Sequence, residues 1–250
     1  MKISVVIHTY NSERYLRRCL ESVAGFDEVV VCDMHSSDST EAIAREFGCR
    51  LIYHEHTGIA EPARNWAIQQ AENEWVLVVD SDEVVPETLR RALYEFVQTK
   101  GEEYAGALIP RRNRFMGRFM HGSWPDYILR FMRRTKAYWP PTVNSQPSVE
   151  GRVARLPRRR ETAFDHLDDP TVERHIDKTN RYTDMERRRR AGQHYSVATA
   201  MIKAWFRFVR TYIVKGGFRD GRAGYVYAQI NAIYKFLTIA KLWEDQRGGS

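Results

Sequence analysis

The residues that could most readily do chemistry are Asp80-Ser81-Asp82-Glu83, which directly follow the apolar run 75–79. A short run of β-branched and aromatic residues bounded by polar ones is typical of a buried strand. Open α/β sheets bind ligands at the carboxyl ends of their strands, which is where these three acids would lie. Carboxylates this close repel one another, so the cluster favours a cation. We expect a divalent metal that carries a phosphorylated substrate.

The elements that must position this cluster alternate between strand and helix patterns. The predicted strands cover residues 3–7, 28–32, 50–53, 75–79 and 105–109, and the predicted helices cover 13–23, about 40–47, 62–71 and 86–99. Alternation with short loops predicts right-handed crossovers and a largely parallel sheet. Four polar loops should then meet at one rim: Thr9–Asn11, Asp33–Asp38, His54–Thr57 and Asp80–Glu83.

The second half of the chain has a different pattern. Residues 111–161 are irregular and rich in Arg, Pro and aromatics, and a helical pattern returns from about residue 171. Residues 196–215 predict an amphipathic helix, and residues 225–243 predict a second, aromatic-rich one. On the first of these, six apolar residues share one face and three basic residues lie opposite: Met201, Ile202, Trp205, Val209, Tyr212 and Ile213 against Lys203, Arg207 and Arg210.

Length and composition indicate a folded protein with one core and room for a smaller appendage. The chain has 250 residues, of which 43% are hydrophobic and 28% charged. Cys19, Cys32 and Cys49 are odd in number and lack metal-ligand spacing, so we expect reduced thiols in a cytosolic protein. The sequence begins with a strand pattern rather than a signal segment, and no apolar stretch of 18 residues predicts a transmembrane helix.

Charge is divided unevenly along the chain. Residues 1–110 carry 10 Lys/Arg and 19 Asp/Glu, whereas residues 111–250 carry 29 and 13. The basic half contains three dense clusters: Arg111-Arg112-x-Arg114, Arg158–Arg160 and Arg187–Arg190. Such clusters fit nucleic acid, anionic lipid or the phosphates of a substrate. No nucleic-acid motif accompanies them, so nucleic acid is not expected, and the amphipathic helix favours a membrane surface. Packing of that helix on the catalytic domain or on a second subunit is the alternative.

Two further motifs accompany the acidic cluster. Asp33 begins a second acidic loop, where a carboxylate could accept from a base N–H or a ribose hydroxyl. Capping of the next helix would explain Asp38 but leaves Asp33 unexplained. Arg64 lies just inside a predicted helix start and could pair with the acids or with a diphosphate; a surface arginine is the alternative. His54-x-His56 has no third metal ligand nearby in sequence, so we expect a structural role.

These motifs carry a resemblance to glycosyltransferase family 2, of the GT-A fold. It rests on the order and spacing of four of them: Thr9-Tyr10-Asn11, Asp33 to Asp38, Ala63-Arg64-Asn65 and Asp80-Ser81-Asp82. Five later motifs look like the bacterial branch that adds glucose to the lipopolysaccharide inner core: Trp124-Pro125-Asp126-Tyr127, Arg130-Phe131, His166-Leu167, Asn180-Arg181-Tyr182 and Gly217–Gly221. One departure is His8, where many members have proline.

The resemblance implies a nucleotide-sugar donor whose diphosphate binds Mg²⁺ or Mn²⁺. Asp82 would be a metal ligand and His166 another, and Asp80 with Ser81 would contact the ribose or the metal. Residues Thr9, Tyr10, Asn11 and Asp33 would hold the nucleobase, with Arg64 at the diphosphate. Inversion at the anomeric carbon requires a carboxylate base. Asp126 is the expected base, a turn residue being the alternative, and Glu83 and Asp165 are held in reserve.

We therefore predict a GT-A α/β protein, with a mostly parallel, Rossmann-like sheet flanked by helices and a C-terminal amphipathic helical extension. Residues 1–110 would bind the nucleotide sugar, 111–195 would complete the acceptor side and 196–250 would form the basic helical extension. The expected function is metal-dependent, inverting transfer of glucose from UDP-glucose to a glycolipid such as the lipopolysaccharide inner core. Location at the inner face of the cytoplasmic membrane and a homo-oligomer through the C-terminal helices are further expectations. A polyprenyl-phosphate acceptor, or a non-catalytic basic protein on this scaffold, is the alternative.

Overall fold

A computed structural model of the chain describes residues 1–57, 61–141 and 145–247. The strands in these ranges are β1 (Ile3–Thr9), β2 (Glu28–Asp33), β3 (Arg50–Tyr53), β4 (Trp75–Asp80), β5 (Glu83–Val84), β6 (Gly106–Arg112), β7 (Arg114–Phe115), β8 (Arg118–Phe119), β9 (Asp126–Arg133), β10 (Ala137–Tyr138), β11 (Ser148–Val149), β12 (Val153–Arg155) and β13 (Phe164–His166). The α-helices are α1 (Glu13–Val23), α2 (Thr40–Glu46), α3 (Glu61–Gln70), α4 (Glu87–Lys100), α5 (Val172–Arg189), α6 (Val197–Val209) and α7 (Gly221–Arg247). The chain divides into two compact units: unit 1 is residues 1–112 with 125–167, and unit 2 is residues 113–124 with 168–250.

Unit 1 is built on a mixed, mainly parallel sheet. Its strand order is β3-β2-β1-β4-β9-β6-β13-β5, with β12 pairing on β6. The first four strands are mutually parallel, as their alternation with helices predicts. The apolar side chains of β1 and β4 are fully buried on both faces, because helices cover the sheet on each side.

The register of the parallel strands brings the polar loops to one edge. Thr9 of β1 lies opposite Asp33 of β2, and His8 lies opposite Asp80 of β4. Two loop contacts tie this edge together: the His54 amide donates to the Asp33 carbonyl at 3.1 Å, and the Tyr10 and His56 rings stack with centroids 3.7 Å apart. The predicted convergence of the four loops is therefore present.

The prediction of an irregular segment over 111–161 is wrong at its centre. Residues Asp126–Arg133 form β9, which pairs antiparallel with β4 on one side and β6 on the other. Phe131 and Met132 are fully buried there. The run Tyr127-Ile128-Leu129 was a strand signal, but Arg130 interrupts it, and that arginine is buried because it pairs with an acid of the neighbouring strand.

Unit 2 is mainly helical. Helix α7 packs against both α5 and α6, and α6 continues beyond Val209 into a π-helical turn over Arg210–Val214. The two C-terminal helices are thus present, with bounds that differ from those predicted, and no helix in the described part of the chain is long and apolar enough to cross a membrane. The functional division at residues 110 and 195 stays a prediction.

The motif Gly217–Gly221 has a packing role in unit 2. A Cβ on Gly224 would lie 1.9 Å from the Gly217 carbonyl oxygen, so the chain passes over itself too closely for any side chain there. Asp220 is buried, and its carboxylate lies 2.5 Å from His121 Nδ1 and accepts from the Gly122 amide at 3.2 Å. These contacts fix the turn that leads into α7.

Candidate functional site

Asp80, the last residue of β4, is held between two arginines. Arg64 Nη2 donates to one carboxylate oxygen and Arg130 Nη2 to the other, each at 2.7 Å. Burial alone would raise the pKa of Asp80, but the charges of Arg130 and Arg64 outweigh it and hold the pKa well below its usual range. Asp80 is therefore an ionised carboxylate whose two oxygens are already engaged.

Both arginines also have donors that no acceptor in the described part of the chain satisfies. Their guanidinium groups lie over the Trp139 ring, 4.6 Å (Arg64) and 5.0 Å (Arg130) from its centroid. Within the described ranges, the buried nitrogens Nε and Nη1 of Arg64 and Nη1 of Arg130 have no hydrogen-bond partner. An unsatisfied buried donor is costly, and guanidinium groups suit phosphate oxygens. The arrangement can therefore accept an anionic ligand.

Asp82 is paired with His166, whose Nε2 lies 3.2 Å from Asp82 Oδ2. The antiparallel pairing of β5 with β13 positions the histidine, and the Leu167 amide donates to the Asp82 carbonyl at 2.7 Å. Burial would lower the pKa of His166, but hydrogen bonding to Asp82 raises it above its ordinary value. The sequence predicted Asp82 and His166 as ligands of one metal, and the structure places their side chains next to each other.

A carboxylate beside an imidazole is a donor set that fits Mn²⁺ or Mg²⁺, provided the ligand supplies further oxygens. No group of three or more His, Cys, Asp or Glu side chains able to hold a metal occurs within residues 1–57, 61–141 and 145–247. His54 tilts against Trp66, and His56 stacks on Tyr10, which agrees with the structural role expected for that pair.

Glu83, one of the two carboxylates held in reserve as the base, lies in the short strand β5. It is fully buried in β5, and Arg111 Nη1 donates to its Oε1 at 3.2 Å. Burial and the negative charge of Asp80 raise the pKa of Glu83. Arg111 also donates to Oδ2 of Asp126, at 2.8 Å from Nη2, and so joins the two carboxylates. Asp165, the other reserve candidate, pairs with Arg112 at 3.3 Å.

The Asp33 carboxylate braces the loops at the ends of β1 and β2. It is 1% exposed and accepts from the Thr9 hydroxyl at 2.9 Å and from the amide and hydroxyl of Ser36 at 2.8 and 2.6 Å. Since a carboxylate can accept about four hydrogen bonds, roughly one position remains. Asp33 therefore braces these two loops and keeps little hydrogen-bonding capacity for a ligand.

Asn11 joins the same two loops from the solvent side. The Asn11 side-chain oxygen accepts from the backbone amide of Ser37 at 2.8 Å, and the backbone amide of Asn11 donates to the Ser36 hydroxyl at 2.9 Å. Asn11 has a φ of 47°, in the left-handed region that asparagine tolerates. Tyr10 is exposed beside it, and the Ser81 hydroxyl donates to that of Ser12 at 3.0 Å. The loops that would surround a nucleobase are therefore braced without a ligand.

Sequence reasoning missed how three residues contribute to this edge: Arg130 and Arg111, which it named only within a motif and a basic cluster, and Trp139. Arg130 and Arg111 lie on β9 and β6, whose antiparallel pairing was not predicted. Trp139 follows β10 and is 3% exposed. A basic residue within an apolar run was the available signal for Arg130, and nothing in the sequence marked Trp139.

Comparison with known proteins decides the family. The model of "Glycosyl transferase family 2" matches residues 4–150, which is more than half of the chain. The chain belongs to glycosyltransferase family 2. This glycosyltransferase is 26% identical to "Lipopolysaccharide core biosynthesis glycosyltransferase LpsC" of Rhizobium meliloti (strain 1021) over 98% of its own length and 93% of the relative's. A match to the poly(ribitol-phosphate) β-N-acetylglucosaminyltransferase TarS of Staphylococcus aureus is 41% identical but covers only 37% of the chain and 18% of TarS.

Solved structures confirm the predicted GT-A-like fold of the glycosyltransferase. The mannosyltransferase PcManGT from Pyrobaculum calidifontis, in complex with GDP-Man and Mn²⁺, matches with a TM-score of 0.56 at 16% identity, over all of this chain and 76% of PcManGT. TarS 1–349 in complex with UDP-GlcNAc matches with a TM-score of 0.50 at 19% identity, over all of this chain and 93% of that one. At these identities the likeness concerns the fold.

Proposed function

We propose that this family 2 enzyme transfers glucose from UDP-glucose, with inversion, to the inner core of a lipopolysaccharide-type glycolipid. The observation that carries the proposal is the pair of arginines around Asp80, whose buried donors have no acceptor in the described part of the chain. A nucleotide diphosphate supplies the oxygens that such donors bind. Similarity to LpsC over nearly the whole chain supports the lipopolysaccharide core as acceptor.

In this mechanism Arg64 and Arg130 orient the diphosphate, and the loops that Asp33 and Asn11 brace hold the nucleoside beside Tyr10. Asp82 and His166 would hold Mn²⁺ or Mg²⁺, which when bound offsets the charge of the departing diphosphate. PcManGT, of the same fold, is solved with Mn²⁺. The contact between His166 and Asp82 holds these two proposed metal ligands next to each other.

Asp126 is the proposed general base. The acceptor hydroxyl oxygen forms a bond to the anomeric carbon while the bond from that carbon to the diphosphate breaks, and Asp126 takes the hydroxyl proton. Arg111 donates to Asp126 through Nε and Nη2, at 3.1 and 2.8 Å, and this fork fixes the carboxylate. The enzyme would work at the cytoplasmic face of the inner membrane, where such an acceptor is presented.

The test is a transfer assay with Asp82→Asn. Glucose transfer from UDP-glucose to a core-truncated lipopolysaccharide should fall by about 10³-fold or more, because the variant lacks the carboxylate that would hold the cation. EDTA should abolish wild-type transfer, and Mn²⁺ should restore it. Glu102→Gln, which removes an exposed carboxylate of unit 1, is the matched control and should retain full activity.

Donor and acceptor are tested in the same assay. UDP-glucose is compared with UDP-GlcNAc and GDP-mannose, and the lipopolysaccharide acceptor with a polyprenyl phosphate. Preference for another donor or for the polyprenyl phosphate would overturn that half of the proposal. Undiminished turnover by Asp82→Asn, or by the wild type in EDTA, would overturn the metal-dependent mechanism.

A further inference from the structure

Unit 2 contains a cavity whose lining is strongly basic. Its volume is about 120 Å³, and six of its lining residues carry a charge or a hydroxyl: Arg190, Tyr195, Lys203, Arg207, Lys235 and Thr238. Since about 10–15 Å³ of such volume holds one water molecule, the cavity has room for a group of several heavy atoms. Arg190 belongs to the basic cluster Arg187–Arg190, for which the sequence favoured a membrane surface, and it contributes to the lining of the cavity.

The cations of this cavity are only partly balanced within the protein. Arg190 donates through Nε to Glu186 at 2.6 Å and through Nη1 to the Tyr195 hydroxyl at 3.2 Å. Nε of Arg207 is buried and has no hydrogen-bond partner in the described ranges. Of the side chains whose charges act most on Lys235, three are cations and one, Glu186, is an acid. An anion in the cavity would therefore satisfy groups that the chain itself does not.

The protonation of Lys235 agrees with this balance. Burial, followed by the charges of Arg207 and Arg190, lowers its pKa. An ammonium group surrounded by like charges is destabilised, and a bound anion removes that cost. The hydroxyl groups of Tyr195 and Thr238 already donate to the Gln193 side-chain oxygen and to the Tyr234 carbonyl, so the donors offered to an anion are those of the basic side chains.

One side of α6 next to this cavity is apolar and exposed. Five side chains are each at least 60% exposed: Val197, Met201, Ile202, Trp205 and Phe206. At 3.6 residues per turn they form one continuous stripe; Lys203 borders it because it lies three residues before Phe206, whereas Arg207 lies on the opposite side of the helix. A helix with aromatic and aliphatic residues beside cations is the type that lies in the interface of an anionic bilayer.

We propose that the cavity between α6 and α7 binds the phosphate group of an anionic membrane lipid while the exposed stripe of α6 enters the bilayer interface. Charge complementarity selects the occupant: cations line the cavity, and one of them, Lys203, borders the apolar stripe, as phosphate lies beside acyl chains in a lipid. The site belongs to unit 2 alone, and its test does not depend on sugar transfer.

Vesicle binding tests the site without an activity readout. Binding is measured to phosphatidylcholine vesicles that contain either phosphatidic acid or, at equal surface charge, oleate, whose anionic group is a carboxylate. The wild type should bind the phosphatidic acid vesicles about tenfold more tightly, because charge-assisted bonds to phosphate add to the general attraction. Inorganic phosphate should compete with this preference.

Variants separate the cavity from the stripe. Arg207→Gln should lose the preference for phosphatidic acid. If that variant fails to fold, Lys203→Gln replaces it with the same expected result, because Lys203 lies at an exposed helix position where a substitution is tolerated. Arg188→Gln is the matched control: it removes an exposed cation of the same cluster that does not line the cavity, and should keep the preference. Trp205→Ser should weaken binding to both vesicles equally.

Three outcomes would overturn the proposal. The first is that the wild type binds the two charge-matched vesicles equally. The second is that a folded Arg207→Gln or Lys203→Gln variant keeps the preference for phosphatidic acid. The third is that inorganic phosphate stabilises the protein while the protein does not discriminate between the vesicles. The last would make the cavity a site for a free anion. Each differs from loss of sugar transfer, so failure here and failure of the proposed reaction are distinguishable.

Discussion

The carboxyl edge of the sheet in unit 1 and the cavity between α6 and α7 in unit 2 both gather charged side chains, but they balance those charges differently. At the sheet edge, Asp80 lies between two arginines and Asp82 is beside a histidine. Both regions have buried arginine donors without an acceptor in the described ranges, but the cavity is lined by four basic side chains, and the acid that acts on them is Glu186. At the sheet edge the acids are already paired with cations, so a ligand that binds there takes over some of these ion-pair partners. In the cavity positive charge is in excess, so an anion from outside the chain would balance it.

Removing the central acid of the sheet edge is the strongest test of this contrast. Asp80→Asn would leave Arg64 and Arg130 facing each other without a counter-charge, and should lower the free energy of unfolding by about 3 kcal/mol. Glu186→Gln, which removes the acid paired with Arg190 of the cavity, should cost about 1 kcal/mol, because Arg190 keeps its contact with Tyr195. Urea unfolding of both variants measures the difference.

The double variant Asp80→Asn/Arg130→Gln provides the control for that comparison. Removing one arginine together with the acid should recover part of the loss, since the remaining cation then has less like charge nearby. Equal losses for Asp80→Asn and Glu186→Gln would contradict the idea that the two regions balance charge differently.

A second prediction separates two acids that pair with adjacent arginines of unit 1. Asp126→Asn should lower kcat about 10²-fold, the usual contribution of a general base, with the KM for the donor nearly unchanged. Asp165→Asn removes a carboxylate that pairs with Arg112 and should have a much smaller effect. Steady-state kinetics of both variants decides the assignment, and the reverse order of effects would move the base to Asp165.

The sequence could predict those features that depend on residues close together in the chain. The strands β1 to β4 and the loops after them are neighbours in the chain, and their apolar runs and polar ends were sufficient to place Thr9, Asp33 and Asp80 at one edge. The position of Arg130 depends on β9, which inserts between β4 and β6. No local pattern encodes that pairing.

Burial of charge was equally hard to foresee. Glu83 has the sequence context of a helix-start acid, and only the approach of Arg111 from a distant strand explains why it is buried. The exposed stripe on α6 shows the opposite case. The amphipathic pattern predicted an apolar face, and part of that face is exposed in the structure; that a membrane surface covers it stays a prediction.

A third prediction concerns pH and His8, which is buried on β1 opposite Asp80. Burial, and next the charge of Arg64, lower the pKa of His8 to about 3 from 6.5. Between these values the unfolded chain binds a proton that the folded protein does not, so stability falls as the pH falls below 6.5. From pH 6.5 to 5 the wild type should lose about 1.5 kcal/mol more than His8→Gln.

Unfolding midpoints across that pH range measure this difference. His194→Gln, which removes an exposed histidine, is the matched control and should follow the wild type. If His8→Gln has the same pH dependence as the wild type, His8 takes up its proton without unfolding. The arginines around Asp80 would then tolerate a further positive charge, and the edge would be less tightly balanced than its ion pairs indicate.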